Sequence, residues 1–469
     1  MLKQVLKEKF GYDHFRLGQE ETITAILNHQ NTFAILPTGT GKSLCYQLPS
    51  YLLNSGLTII ISPLLALMYD QVNQIQKRGE KSVVALTSEQ TAQEQQYILQ
   101  HLQTYRYLFL SPEMLMKEQV LATLKKVDIA LFVVDEAHCI TQWGLDFRPE
   151  YRKLGTILEQ LHYPKTLALT ATVTAEDQAE ISQILFAEEP QLITTTVNRD
   201  NIIYQVIETT EKDQFLVDFL RTYQGPGIIY FSSKKQAERV ALYLKQQLNL
   251  KVAAYHADLT SQDRRSLQDQ FINQQLEILC ATTAFGMGIN KANIRFVIHY
   301  HMPASLEAFM QESGRSGRDG KLALSILLYQ EGDEFIQRNL LSDMWQQYQT
   351  LETMKQLDQL SELQQKWQQY YPHKEQLQKL IESKYQQKQL QIKQVKQYIQ
   401  AKNCRRAQLL TYFDEEVLEH TEHCCDLTEI NYDQILLPRE QVLKDAVFFD
   451  SRKKIEHLFK INLKSSEVQ

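Results

Sequence analysis

The chain predicts an α/β fold: two domains with parallel sheets, followed by a mainly α-helical C-terminal region. Three observations carry this expectation. Short, β-branched apolar runs alternate with helical patterns from about residue 30 to 330, and such runs fit strands buried on both faces of a parallel sheet. A length of 469 residues exceeds what one hydrophobic core serves. Beyond about residue 335 the strand pattern stops, and glutamine, lysine and leucine take over.

The apolar runs are, in order, Thr32–Leu36, Leu57–Ile61, Leu131–Val134, Gly227–Phe231 and Phe296–Tyr300. A break over Thr194–Tyr204 divides them into two blocks, which predicts domains at 1–204 and 205–338. Residues 339–430 read as a helical hairpin ending in a cysteine cluster, and 431–469 as a short tail. In the hairpin Leu351, Met354, Leu357, Leu360, Leu363 and Trp367 recur at helical spacing. Pro372 interrupts the pattern after Tyr371, so two polar-faced helices are expected.

Composition narrows the class. A net charge of −6 gives no bulk support for nucleic-acid binding, so any such contact must come from a local basic groove. Six cysteines in a chain this long do not make a disulfide framework. No apolar run reaches the ~18 residues of a membrane span, and the N-terminal Met-Leu-Lys-Gln-Val-Leu-Lys reads as an amphipathic helix, not a secretion signal. A cytoplasmic protein with reduced thiols is expected.

The chemistry concentrates in four stretches. Leu36-Pro37-Thr38-Gly39-Thr40-Gly41-Lys42-Ser43, running into Leu44, lies between a strand and a helix, the setting of a phosphate loop. Its glycines let backbone N–H groups turn towards phosphate oxygens; Lys42 reaches the terminal phosphates and Ser43 ligates Mg²⁺. Leu36 stands where the strict pattern has glycine. Asp135-Glu136-Ala137-His138 follows the strand Leu131–Val134. Asp135 suits Mg²⁺, Glu136 suits the base that orients and deprotonates a water, and His138 suits coupling. Directly after it, Trp143, Phe147, Arg148 and Tyr151 lie within nine residues, side chains that stack on bases and grip phosphates. In Gln311-Glu-Ser-Gly-Arg315-Ser-Gly-Arg318-Asp-Gly320, the two arginines belong to the second block, so an arginine finger would act on the phosphates across a cleft. Upstream, Gln19 could pair with one adenine edge.

Together with Ile61–Gln71, Leu167–Thr172 and Ala281–Lys291, these stretches resemble a RecQ-type DNA helicase of superfamily 2, nearly continuously from residue 5 to about 330. The resemblance implies two RecA-like domains with ATP and Mg²⁺ between them. It implies single-stranded DNA across both, and 3′ to 5′ movement. Arg318 would be the finger beside Arg315; Arg16 and Gln19 would read the nucleotide, with Gly288 also near it. Thr170 and Thr172 would relay closure. Trp143, Phe147 and Arg148 would sense DNA, and Ser62, His256, Thr282 and Asn290 would line its track. Single-stranded and forked DNA are the implied partners, with a single-strand-binding protein or recombination factors, at the bacterial nucleoid and away from membranes. The alternatives are an ATPase that remodels protein–DNA complexes with little strand separation, and an RNA helicase.

The chain also departs from that family. Leu145 replaces a usual histidine, so a polar contact in the DNA-reporting segment is expected to be lost. Leu17 replaces a proline and Asp258 a glycine. Cys404–Phe413 matches the start of the family's zinc module, but only Cys404 and Cys425 stand at expected ligand positions, with His420, His423 and Cys424 nearby. Those residues could complete a zinc site; a module relying on packing is the other reading. The stretch after the cysteines is too short for a complete winged helix and the further small domain, so a short form is expected.

Overall fold

The computed structural model describes residues 1–439 except 54, 146–147, 286–290, 354–359 and 417–422. The expected positions Phe147, Gly288, Asn290, Met354, Leu357 and His420, and residues 440–469 of the tail, lie outside the described residues.

Seven strands form the first sheet: β1 Thr32–Ile35, β2 Leu57–Ile61, β3 Val83–Leu86, β4 Tyr107–Leu110, β5 Ile129–Val134, β6 Thr166–Thr170 and β7 Gln191–Thr194. Their order is β3-β4-β2-β5-β6-β1-β7, and every pairing is parallel. β1, β2 and β6 are buried at every position, which the uninterrupted apolar runs require. The order has a functional consequence. β6 lies between β1 and β5, so the loops leaving β1 and β5 and the threonine ending β6 meet at one sheet edge, where α/β proteins bind ligands.

The second sheet holds β8 Ile202–Glu208, β10 Gly227–Tyr230, β11 Val252–Tyr255, β12 Ile278–Ala281, β13 Phe296–His299 and β14 Ala323–Tyr329. It runs β11-β12-β10-β13-β14-β8, again all parallel. A two-residue strand, β9 Tyr223–Gln224, pairs antiparallel with β15 Leu437–Pro438. β8 begins at Ile202, so the chain crosses between sheets within 195–201.

Seven helices bear on the site and its surroundings: α1 Leu44–Gln47, α2 Ala175–Leu185, α3 Leu306–Ser313, α4 Glu334–Thr353, α5 Glu362–Tyr370, α6 Lys374–Gln400 and α7 Arg405–Tyr412. α5 and α6 flank Pro372 as expected, but the apolar stripe expected on one helix before it is divided: Leu351 lies on α4, whereas Leu363 and Trp367 lie on α5. α5 starts on a capping box in which Ser361 and Gln364 satisfy each other's backbone N–H groups. α6 is 27 residues long, about 40 Å at the helical rise. Its first turns join Leu145 and Trp367 in one apolar cluster. Its middle meets α2, where Gln387 donates to Asp177. Its last turns pack with Tyr204 and Phe309 of the second domain. One helix therefore touches both sheet domains.

Candidate active site

Phosphate-loop geometry follows from its glycines. Gly39 and Gly41 have φ of +89° and +76°, conformations that side chains other than glycine rarely adopt. The loop leads into α1, only four residues long. It is braced from upstream: the Gln19 amide donates to the Thr40 and Gly41 carbonyls at 2.6 and 3.1 Å, while the Arg16 guanidinium bonds the Gly39 carbonyl. In this arrangement Gln19 shapes the loop, and pairing with adenine requires its amide to turn outward.

Lys42 Nζ lies 3.8 Å from Glu136 Oε2. Glu136 has φ of +52°, a strained backbone for a carboxylate residue and a frequent mark of a functional position. Its Oε2 is buried without a hydrogen bond. Burial opposes its charge, but Lys42, with Arg315 and Arg318 behind it, holds its carboxyl below the usual range. Asp135 behaves oppositely: burial first, then the neighbouring Glu136 charge, push its carboxyl up to about 7. A buried carboxylate with too little positive charge around it is what a divalent cation relieves. Together with the Ser43 hydroxyl this donor set fits Mg²⁺, and the loop with Lys42 fits a triphosphate.

The second domain closes this edge. Gly314 lies so close that a Cβ there would fall 2.2 Å from Thr38 Oγ1, and the Thr38 hydroxyl donates to the Gly314 carbonyl at 2.9 Å. Arg315 is 5% exposed, and Arg318 is lowered to about 10 by burial and then by Arg315 and Arg199. Arg199, which sequence reasoning did not single out, spans both domains: it donates to Thr38 O at 3.2 Å and to Gly317 O at 2.8 Å.

A second bridge runs through His138. Burial lowers its pKa to about 4, so the ring is neutral at physiological pH. The Gln311 amide, on α3, lies 3.0 Å from His138 Nε2. An amide N–H can only donate, which leaves the ring proton on Nδ1. Nδ1 lies 3.0 Å from Thr170 Oγ1, and that hydroxyl donates to the Thr172 carbonyl at 3.4 Å. The result is a directed chain from Gln311 to the end of β6.

The aromatic segment begins one turn later. Trp143 packs against the first domain's core. Arg148 pairs with Glu113 at 2.9 Å and bonds the Pro63 carbonyl. Leu145 is 3% exposed and sits among residues of the C-terminal helices. In the second domain, His256 and Thr282 line a groove of about 540 Å³ with Ser232 and Lys234, walled by Ile336 and Leu340 of α4. Lys234 is paired there with Asp258. Ser62, at the end of β2, is buried, and its hydroxyl has no hydrogen bond.

The cysteine cluster hangs on edge strand β8, where Tyr204 N donates to Cys424 O at 3.3 Å. The sulfurs of Cys404, Cys424 and Cys425 lie within 4.8 Å of one another. Cys404 Sγ is 3.2 Å from Cys424 Sγ and 3.7 Å from Cys425 Sγ. Thiolates on a common zinc sit roughly 3.7 Å apart; the Cys404–Cys425 separation matches that and the Cys404–Cys424 separation is shorter, so these three are the residues that could hold a zinc ion. His423 is not part of this triplet. Hydrogen bonds from Cys425, Cys404 and Arg406 pull the Cys424 thiol down, and Cys425 is pushed up by its bond to Cys424.

Three family profiles match the chain: DEAD/DEAH box helicase over residues 16–181, helicase conserved C-terminal domain over 211–320, and RecQ zinc-binding over 371–428. The chain is 47% identical over 343 residues to the probable ATP-dependent DNA helicase RecS of Bacillus subtilis, covering 72% of this chain and 69% of that one. It is 36% identical over 423 residues to the ATP-dependent DNA helicase RecQ of Pasteurella multocida, covering 90% and 61%. It thus spans less than two thirds of that relative's length. Among solved structures, Mss116p bound to single-stranded RNA and AMP-PNP superposes with a TM-score of 0.62 at 19% identity, over 83% of this chain and 89% of that one. At that identity the likeness concerns the fold.

Proposed function

This chain belongs to the RecQ family of ATP-dependent DNA helicases, and from that premise we propose that it hydrolyses ATP to move 3′ to 5′ along single-stranded DNA and open forked duplexes. One observation carries the reading. Lys42, Asp135 and Glu136 of the first sheet share a buried cleft edge with Arg315 and Arg318 of the second, and the aromatic segment begins five residues after His138. Hydrolysis is therefore tied to domain approach on one side and to DNA contact on the other.

Lys42 and the loop N–H groups hold the phosphates, with Ser43 and Asp135 as the residues that would hold Mg²⁺. Bound there, the ion neutralises phosphate charge. Glu136, kept ionised by its cationic neighbours, accepts a proton from the attacking water. Arg318 offsets charge on the phosphoryl oxygens, with Arg315 beside it. Because both arginines come from the second domain, hydrolysis needs the cleft closed, and the closing motion supplies the step. The Gln311–His138–Thr170–Thr172 chain reports that closure to the first sheet. His256, Thr282 and Lys234 take the DNA backbone in their groove, and Trp143 and Arg148 respond to it. The site of action is the bacterial nucleoid; among the described residues no helix is long and apolar enough to cross a membrane.

A fork-unwinding assay tests this. Strand release that Lys42→Ala abolishes supports the helicase; ATPase activity without release supports a remodeller; stronger stimulation by RNA than by single-stranded DNA overturns the DNA assignment. Cys404, Cys424 and Cys425 are the residues that would hold zinc. Near-stoichiometric zinc in the purified protein, lost in Cys404→Ser, is the expected result; absence of zinc would leave the segment held by Arg406 and packing.

A further inference from the structure

The C-terminal helices are fastened to the aromatic segment. Trp367 of α5 is fully buried and donates its indole N–H to the Leu145 carbonyl at 2.9 Å. The Leu145 side chain packs with Trp367, Tyr371, Leu377 and Ile381. Five residues on, the buried carboxylate of Glu150 receives Lys366 Nζ at 3.2 Å, and Lys153 Nζ lies 4.6 Å above the Tyr371 ring. The segment is thus held from two sides: by its own domain through Trp143 and Arg148, and by α5 through Leu145 and Glu150.

Where α5 is anchored decides what this contact does. A helix of nine residues has little stability of its own. It is bonded to α4, where the Gln364 amide donates to Gln347 O at 2.6 Å and to Thr350 Oγ1 at 3.0 Å, and it shares an apolar cluster with Leu377 and Ile381 of α6. In turn, α6 is tied to the second domain by Lys396 paired with Glu334 and by Tyr398 against Phe309. The position of Leu145 is therefore referred to the second domain by a route that bypasses the nucleotide cleft. A histidine at 145 would put a polar ring into this apolar cluster; leucine fits it.

We propose that Leu145 and Trp367 form a joint through which the α5–α6 module sets the position of Trp143, Arg148 and Glu150, and so sets how strongly single-stranded DNA stimulates ATP hydrolysis. Trp367 and Lys366 are positioning residues; neither lies in the nucleotide cleft. The proposal rests on the helicase reading above.

The experiment measures ATP hydrolysis by the full chain with and without oligo(dT), for the wild type, Trp367→Ala, Trp367→Phe and Lys366→Gln. Trp367→Ala is expected to cut the maximal DNA-stimulated rate about tenfold. The DNA-free rate and the half-saturating DNA concentration should each stay within about twofold. Trp367→Phe keeps the ring and loses the N–H, so a fall of about threefold is expected, with Lys366→Gln similar. Stimulation in all variants equal to wild type overturns the joint. So does an equal fall of the DNA-free and stimulated rates, which would mark a purely structural role. If Trp367→Ala does not fold, Trp367→Phe and Lys366→Gln decide the matter by the same criteria. A wild type that DNA does not stimulate would instead refute the functional reading itself.

Discussion

The nucleotide cleft and the joint at Leu145 both hold the first domain to the rest of the chain, and they do so by opposite physics. In the cleft, buried charges crowd together. Asp135 is raised to about 7, His138 lowered to about 4 and Arg318 lowered to about 10, each pushed towards neutrality chiefly by burial. At the joint the contacts are apolar, and the indole N–H is satisfied by a carbonyl. Charges in a dry cleft are poised for a ligand that compensates them. An apolar cluster needs none. In the proposed mechanism the cleft is the part that opens and closes with nucleotide, and the apolar joint, which needs no ligand to balance it, is the part that stays made.

The cleft is the region more easily disabled. Glu136→Gln and Arg318→Ala should each lower DNA-stimulated phosphate release by about 10³-fold or more, the size seen for water-positioning and finger residues. Thermal unfolding should move little, or upwards for Arg318→Ala, which removes one of three clustered guanidinium groups. A large loss of stability alongside lost activity would show the charges hold the fold, and the contrast would fail. At the joint the balance reverses. Ile381, fully buried beside Leu145, should cost about 2–5 kcal/mol when truncated to alanine, seen as an earlier unfolding transition of the helical module. The DNA-free ATPase rate below that transition should be unchanged.

The two regions were also unequally legible in the sequence. The strands could be read because parallel sheets bury both faces, so their apolar runs have no polar interruption. The phosphate loop, Asp135-Glu136 and the arginine pair could be read because each is a local pattern on one short stretch. What escaped depends on distant partners. Arg199 lies in Asn-Arg-Asp-Asn, which reads as a solvated turn, yet its guanidinium bridges Thr38 and Gly317, 161 and 118 residues away. Gln311 looked like the start of a motif, and its partner His138 is 173 residues distant. Leu145 read as a lost polar contact. Its partner Trp367 is 222 residues away, and helical periodicity around Trp367 says that a face is apolar without saying what covers it.

A pH-dependent effect, small in the wild type, separates the regions most finely. His138 titrates near 6.5 when unfolded and at about 4 when folded. Below pH 6.5 the unfolded chain binds a proton that the folded chain refuses, so stability falls as pH drops from about 6.5 to 4. Asp135 works in the other direction. Its carboxyl ionises near 3.8 when unfolded but at about 7 when folded, so stability falls as pH rises from about 4 to 7. The two slopes oppose each other across the same window, and the wild type should look nearly flat there. Single variants uncover them. His138→Gln should gain on the wild type as pH falls, and Asp135→Asn should gain as pH rises, each by a few kcal/mol at its extreme. Mg²⁺ should erase the second trend, since a cation relieves the same charge. Ile381→Ala should instead show a deficit that does not vary with pH, because nothing in its cluster titrates between pH 4 and 7. Chemical denaturation of the four proteins at pH 4.5, 6 and 7.5 measures this; a pH-dependent deficit in Ile381→Ala would show that the joint and the charged cleft unfold as one unit.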